Sequence, residues 1–140
     1  MIRQRLGKDL LFFDGGMGTL LQEKGLAPGE LPETWNLTHS EEIYKIHRQY
    51  IEAGSDIILT NTFGANALKF HDDSCSLEEI IKAAVSHVKK AEREALLQTG
   101  DERKIYTALD VGPTGKLLKP MGDLEFETAY EAFKEVVILG

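Results

Sequence analysis

"DIILTNTF", residues 56–63, decides the fold. Three large apolar residues, Ile57, Ile58 and Leu59, follow one another without polar alternation, and then Thr60, Asn61 and Thr62 end the run. A strand with one solvated face alternates, so an unbroken run predicts a strand covered on both faces, as in a parallel sheet. Two other stretches share the pattern: "LLFFD" (10–14) and "KIYTALDVG" (104–112). Between them lie helical periodicities. Ile43, Ile46, Tyr50 and Ile51 predict a helix over 41–53, with Thr38 and Glu41 of "THSE" as a capping box and Gly54 as its stop. Leu77, Ile80, Ile81, Ala84, Val85, Val88, Ala91 and Ala95 form one stripe over 77–97, with a second capping box at Ser76 and Glu79. Phe126, Ala129, Tyr130, Phe133, Val136 and Val137 predict a third amphipathic helix over 125–139.

The order is strand, loop, helix, strand, helix, strand, loop, helix, which is α/β alternation around a parallel sheet. Stretches 25–36 and 112–123 read as long loops inside one domain spanning 1–140. The strand period is roughly 45 residues, longer than a minimal βαβ unit, with the excess after the strands, where α/β folds build their sites. Three parallel strands can neither close a barrel nor protect both edges of an open sheet. The expectation is therefore the first three βα units of a larger domain.

Composition narrows the function classes. With 42% hydrophobic residues the chain can bury a core, and a net charge of −7 argues against nucleic acid or an anionic membrane as partner. The apolar runs are far too short to span a membrane, and "MIRQRLGKDLLFF" lacks the length and cleavage site of a signal peptide. One cysteine, Cys75, excludes an internal disulfide and fits a reducing cytoplasm.

Parallel α/β folds gather ligands at the carboxyl ends of their strands. Placed there are Asp14, Gly15, Gly16 and Met17, then Asn61 and Thr62, then Asp110. "FDGGMGT" (13–19) is not a dinucleotide fingerprint, because Leu21 stands where the last glycine belongs, and it has no P-loop ending. Glycines leave amide N–H groups uncovered, and such a nest holds an anion. The adjacent Asp14 would repel a phosphate but accept an ammonium. The pattern suits a zwitterion, with the amine on Asp14 and the carboxylate on the Gly15–Met17 amides; a turn merely capped by Asp14 is the plainer alternative. Asn61 and Thr62 either line a site or satisfy loop backbone, and Asp110 is either a ligand group or part of a hydrogen-bond network. Among His39, His47, His71 and His87 no H-x-x-x-H pair occurs, and His71 with Cys75 around "DDS" is a weak metal pattern. No nucleophile–histidine–acid set can be assembled from local motifs.

"FDGGMGTLLQ", "LPETWNLTHSEEIYKIHRQYIEAGSDIILTNTFGAN" and "DVGPTG" occur in this order along nearly the whole chain. They resemble the start of the homocysteine S-methyltransferase family, most closely the homocysteine-binding modules of its cobalamin-dependent methionine synthases. The resemblance implies a (β/α)8 TIM barrel, of which residues 1–140 would be the amino-terminal part. It implies homocysteine as substrate, with Asp14 meeting its amine, the Gly15, Gly16 and Met17 amides holding its carboxylate, and Asn61, Thr62 and Asp110 around the same pocket. It also implies zinc on cysteines at later strand ends, beyond Gly140, and methylcobalamin as methyl donor, recharged from methyltetrahydrofolate on other domains. Cys75 lies in the wrong place to replace those cysteines, so no catalytic residue is expected within these residues, and alone they are expected to be inactive. Betaine or S-methylmethionine as donor, a non-catalytic module that self-associates through open strand edges, and an aldolase-like enzyme using Asp14 and Asp110 are the other readings.

Overall fold

A computed structural model describes residues 2–71, 74–100 and 102–140, with only the backbone of Thr99. Among the described residues five α-helices and two strands follow in chain order: α1 (Met17–Glu23), α2 (Trp35–Thr38), α3 (Ser40–Glu52), β1 (Ile57–Leu59), α4 (Leu77–Thr99), β2 (Tyr106–Ala108) and α5 (Phe126–Leu139). Strands β1 and β2 pair in parallel, Ile57 with Tyr106, Ile58 with Thr107 and Leu59 with Ala108. The third predicted strand, 10–14, makes only a single parallel bridge between Phe13 and Ile57. The Asp14 amide donates to Ile57 O at 3.0 Å, and the Asp56 and Ile57 amides both donate to Phe12 O, at 2.8 and 3.0 Å. The three segments therefore lie side by side in sequence order with β1 in the middle.

Burial departs from the expectation of cover on both faces. Ile57 and Ile58 are buried, but Leu10, Phe12 and Phe13 are exposed and all of β2 is half-buried. Apolar runs mark the strands; burial depends on what packs over them. Helices α3 and α4 provide that cover for β1. Tyr44 and Ile51 of α3 meet Val88, Ala91 and Ala95 of α4 over Ile58 and Ile105. A second cluster joins Leu21, Leu26 and Trp35 to Ile43 and Ile46, and a third joins Ile80 and Ile81 to Ala65, Phe70 and Val136.

Helix boundaries follow local chemistry unevenly. At α4 the predicted capping box is present: Ser76 Oγ accepts from the Glu79 amide at 3.2 Å, and the Ser76 amide donates to Glu79 Oε2 at 2.8 Å. The predicted box at α3 is not. Its N-cap is His39 with no side-chain cap, because Thr38 ends α2 and turns its hydroxyl back to Thr34 O, 3.2 Å away. Gly54 does end the helix-to-strand turn, at φ +110°, a value an L side chain rarely adopts. The expected loop 25–36 folds into a 3-10 turn, Pro32–Thr34, and enters α2. Helix α1 also lies where a loop was expected. On α5 only Ala129, Ala132 and Val136 are buried, while Phe126, Tyr130 and Val137 of the predicted stripe are exposed.

Candidate functional site

Asp14, Gly15, Gly16, Met17, Asn61, Thr62 and Asp110 all line one cavity of about 270 Å3 at the carboxyl ends of the three parallel segments. Gly18, Pro32, Glu33, Leu59, Thr60 and Phe63 complete its wall. The first βα turn, the end of β1 and the end of β2 thus meet as the alternation requires.

Asp14 is held by the strand beside it. Its Oδ2 accepts from the Leu59 amide at 3.1 Å, while its Oδ1 is buried without a hydrogen-bond partner. Burial pushes its pKa up to about 6, and the nearby Asp110 adds to the rise, against the hydrogen bonds from the Leu59 amide and from its own. Burial also raises the Asp110 carboxyl. Immediately after Asp14 the chain enters α1 with Gly16 as an N-cap that offers no side-chain bond. Among the described residues the Gly15, Gly16 and Met17 amides donate to no protein acceptor. Tyr50 braces this turn through its hydroxyl, which donates to Gly16 O at 3.3 Å.

Asp110 is fixed by a closed ring of hydrogen bonds. Its amide donates to Thr60 Oγ1 at 3.1 Å, and Thr62 Oγ1 donates to its carbonyl at 2.7 Å. The Thr62 proton is spent there, so Thr60 donates in the 2.7 Å contact between the two hydroxyls. Asn61 is committed in the same way: its amide hydrogens go to Pro32 O at 2.8 Å and Asn36 Oδ1 at 3.1 Å. Asn61 and Thr62 line the cavity, and their side-chain donors are committed to holding the rim together.

Sequence reasoning missed Glu33. It is only 3% exposed, and its Oε1 accepts from the Gly64 amide at 2.5 Å, tying the 32–36 turn to the segment after β1. The available signal was Trp35, the chain's one tryptophan, which is buried and carries its neighbours Glu33 and Asn36 inward with it.

The cavity wall carries three carboxyl groups and, among the described residues, no lysine, arginine or histidine. Such a wall favours a cation, or the cationic end of a zwitterion. Among the described residues no three histidine, cysteine, aspartate or glutamate side chains gather as a metal-ligand set. Cys75 lies on another cavity with His39 and Glu30, and the Asp72 and Asp73 of the "DDS" pattern fall outside the described residues. The described residues do not fit zinc. Among the described residues no helix is long and apolar enough to cross a membrane.

The chain is 30% identical over 138 residues to methionine synthase of Mycobacterium leprae and 30% identical over 139 residues to that of Mycobacterium tuberculosis. It is covered over 94% and 95% of its length but spans only 11% and 12% of those relatives. Crystal structures of the homocysteine methyltransferase MmuM from Escherichia coli share the fold. The metallated form superposes with a TM-score of 0.69 at 24% identity, over 81% of this chain and 42% of that one. The apo form gives 0.67 at 23% identity, over 94% and 44%. The homocysteine S-methyltransferase family matches residues 11–139, and the chain belongs to that family.

Proposed function

We propose that these residues form the homocysteine-recognising part of a methyltransferase that makes methionine, as the first three βα units of a (β/α)8 barrel. The observation that carries this reading is the pairing of a buried, unpartnered Asp14 Oδ1 with the free amides of Gly15, Gly16 and Met17 on one cavity wall. An α-amino acid presents the complementary pair, an ammonium and a carboxylate separated by one carbon. Asp14 receives the ammonium, whose positive charge favours the ionised carboxylate and offsets the rise that burial imposes. The amides at the start of α1 receive the carboxylate. The homocysteine side chain then extends toward Asn61, Thr62 and Asp110, with the rim held by the Asn61 bonds to Pro32 and Asn36 and by the Thr62 bond to Asp110.

The methyl donor we assign is methylcobalamin, recharged from methyltetrahydrofolate on folate- and cobalamin-binding domains of a longer parent. This assignment rests on the resemblance to cobalamin-dependent methionine synthases. Zinc, which would deprotonate the thiol, has its ligands outside these residues in this reading, so the 140 residues bind homocysteine without activating its sulfur. Calorimetric titration with L-homocysteine tests the proposal. Binding that falls at least about tenfold in Asp14→Asn is expected, in line with loss of a charge-assisted hydrogen bond. No binding by the unaltered chain, or methionine formed by it alone, would overturn the reading.

A second reading, association of copies, draws on the exposed Leu10, Phe12 and Phe13 along the outer side of the first segment. Sedimentation that shows a monomer at every concentration would dismiss it.

A further inference from the structure

Among the described residues, two buried carboxylate oxygens are without a hydrogen-bond partner: Asp14 Oδ1 and Glu33 Oε2. Both residues line the same cavity. Buried acceptors are almost always satisfied, so two orphans on one wall call for a shared donor from outside the chain. An ammonium carries three N–H groups, and one carboxylate oxygen cannot satisfy them.

We infer that Glu33 is a second binding residue for the ligand's ammonium, accepting through Oε2 while Asp14 accepts through Oδ1. The inference rests on the proposed binding of homocysteine and deepens it. Glu33 suits the task because its other oxygen is anchored: the 2.5 Å bond from the Gly64 amide to Oε1 fixes the carboxylate plane and leaves Oε2 as the free acceptor. The turn that carries it is fixed in its own right, since Asn61 Nδ2 donates to Pro32 O and Asn36 Nδ2 donates to Asn61 O, both at 2.8 Å. Glu33 therefore stands in the cavity wall before any ligand arrives, so little side-chain freedom remains to be lost on binding. Two unpaired carboxylate oxygens in the lining of one cavity make the amine an obligatory part of the ligand. A thiol acid without an amine would leave both acceptors buried and unpaired.

The competing explanation is that Glu33 only latches the 32–36 turn to Gly64. Glu33→Gln separates the two, because the amide oxygen still accepts from Gly64 while the charge and one acceptor are gone. The experiment is calorimetric titration of the unaltered chain, Asp14→Asn and Glu33→Gln with L-homocysteine and with 4-mercaptobutanoate, its analogue lacking the amine, alongside thermal melts. The unaltered chain is expected to prefer homocysteine. Glu33→Gln is expected to weaken homocysteine binding roughly tenfold to a hundredfold, with 4-mercaptobutanoate binding and the melting temperature held. Homocysteine affinity unchanged in Glu33→Gln but lost in Asp14→Asn would overturn the role of Glu33 and leave the homocysteine reading standing. An equal loss for both ligands with a lowered melting temperature would make Glu33 a latch only, again against the inference. An unaltered chain that binds neither ligand would overturn both.

Discussion

Helices α4 and α5 have sequences of one design and fates of two kinds. Each carries an apolar stripe at helical spacing. On α4 the stripe is buried, with Ile80, Ile81, Ala84, Val88 and Ala91 at 0% exposure; on α5 Phe126, Val137 and Ile138 are each more than half exposed. The α4 stripe has α3 and the β1–β2 pair to pack on, whereas α5 touches α4 along a narrower line. The same contrast separates Ile58 of β1 from Phe13 of the first segment. Periodicity specifies a helix and which face is apolar; burial needs a second surface.

The sharpest way to break this contrast uses one residue type in both helices. Ile81→Ala is expected to lose about 2–5 kcal/mol in urea unfolding, and Ile138→Ala less than about 0.5 kcal/mol. Equal losses would mean that the α5 stripe is covered in solution.

The α3–α4 layer should also carry the main acid sensitivity. His47 is fully buried, both ring nitrogens lack partners, and burial, with His87 nearby, lowers its pKa to about 4. The unfolded chain takes up this proton near pH 6.5 and the folded protein only near 4, so stability falls as pH drops through that window. The expected loss is about 3 kcal/mol, and His47→Leu should remove most of it in unfolding curves taken at pH 7, 5.5 and 4.

The cavity at the strand ends should show the opposite slope. Asp14 has its pKa raised from 3.8 to about 6, so its contribution is full below pH 4 and is lost as pH rises through 6. It is only half-buried, so solvent screening reduces the effect to about 1–2 kcal/mol. Asp14→Asn should therefore be more stable than the unaltered chain at pH 7 and equal to it by pH 4. Greater stability at pH 4 instead would reverse the sign and refute the burial argument. The smallest effect concerns helix starts. Ser76→Ala, which opens the α4 capping box, should cost about 1 kcal/mol, while Glu125→Ala at the start of α5, where no side-chain cap exists, should change little.

Much of this was legible in the sequence. Helix α4 could be read because it is long, striped and announced by Ser76 and Glu79. The meeting of Asp14, Asn61, Thr62 and Asp110 followed from the rule that parallel strands deliver their carboxyl ends to one rim. Helix α1 was not legible, since its seven residues contain too few turns to display a period. Thr38 misled because a capping pattern has the same letters whether its hydroxyl faces forward to a new helix or back to Thr34. Glu33 was invisible for a different reason: a charged residue beside a proline reads as solvent-facing loop, and only the packing of Trp35 draws it inside.

The contact between Glu33 and Gly64 has a consequence for descent. A side chain at position 64 would place its Cβ 2.8 Å from Glu33 Oε1 and 3.1 Å from its Cδ. While glutamate keeps its anchored place at position 33, a residue larger than glycine at 64 would have to push that carboxylate aside, although the backbone at 64 is not left-handed. The block comes from a side chain, so it can be lifted, but in one order only. Position 33 must shorten before position 64 can grow. Among descendants of this sequence, a larger residue at position 64 is therefore expected only where position 33 has changed as well.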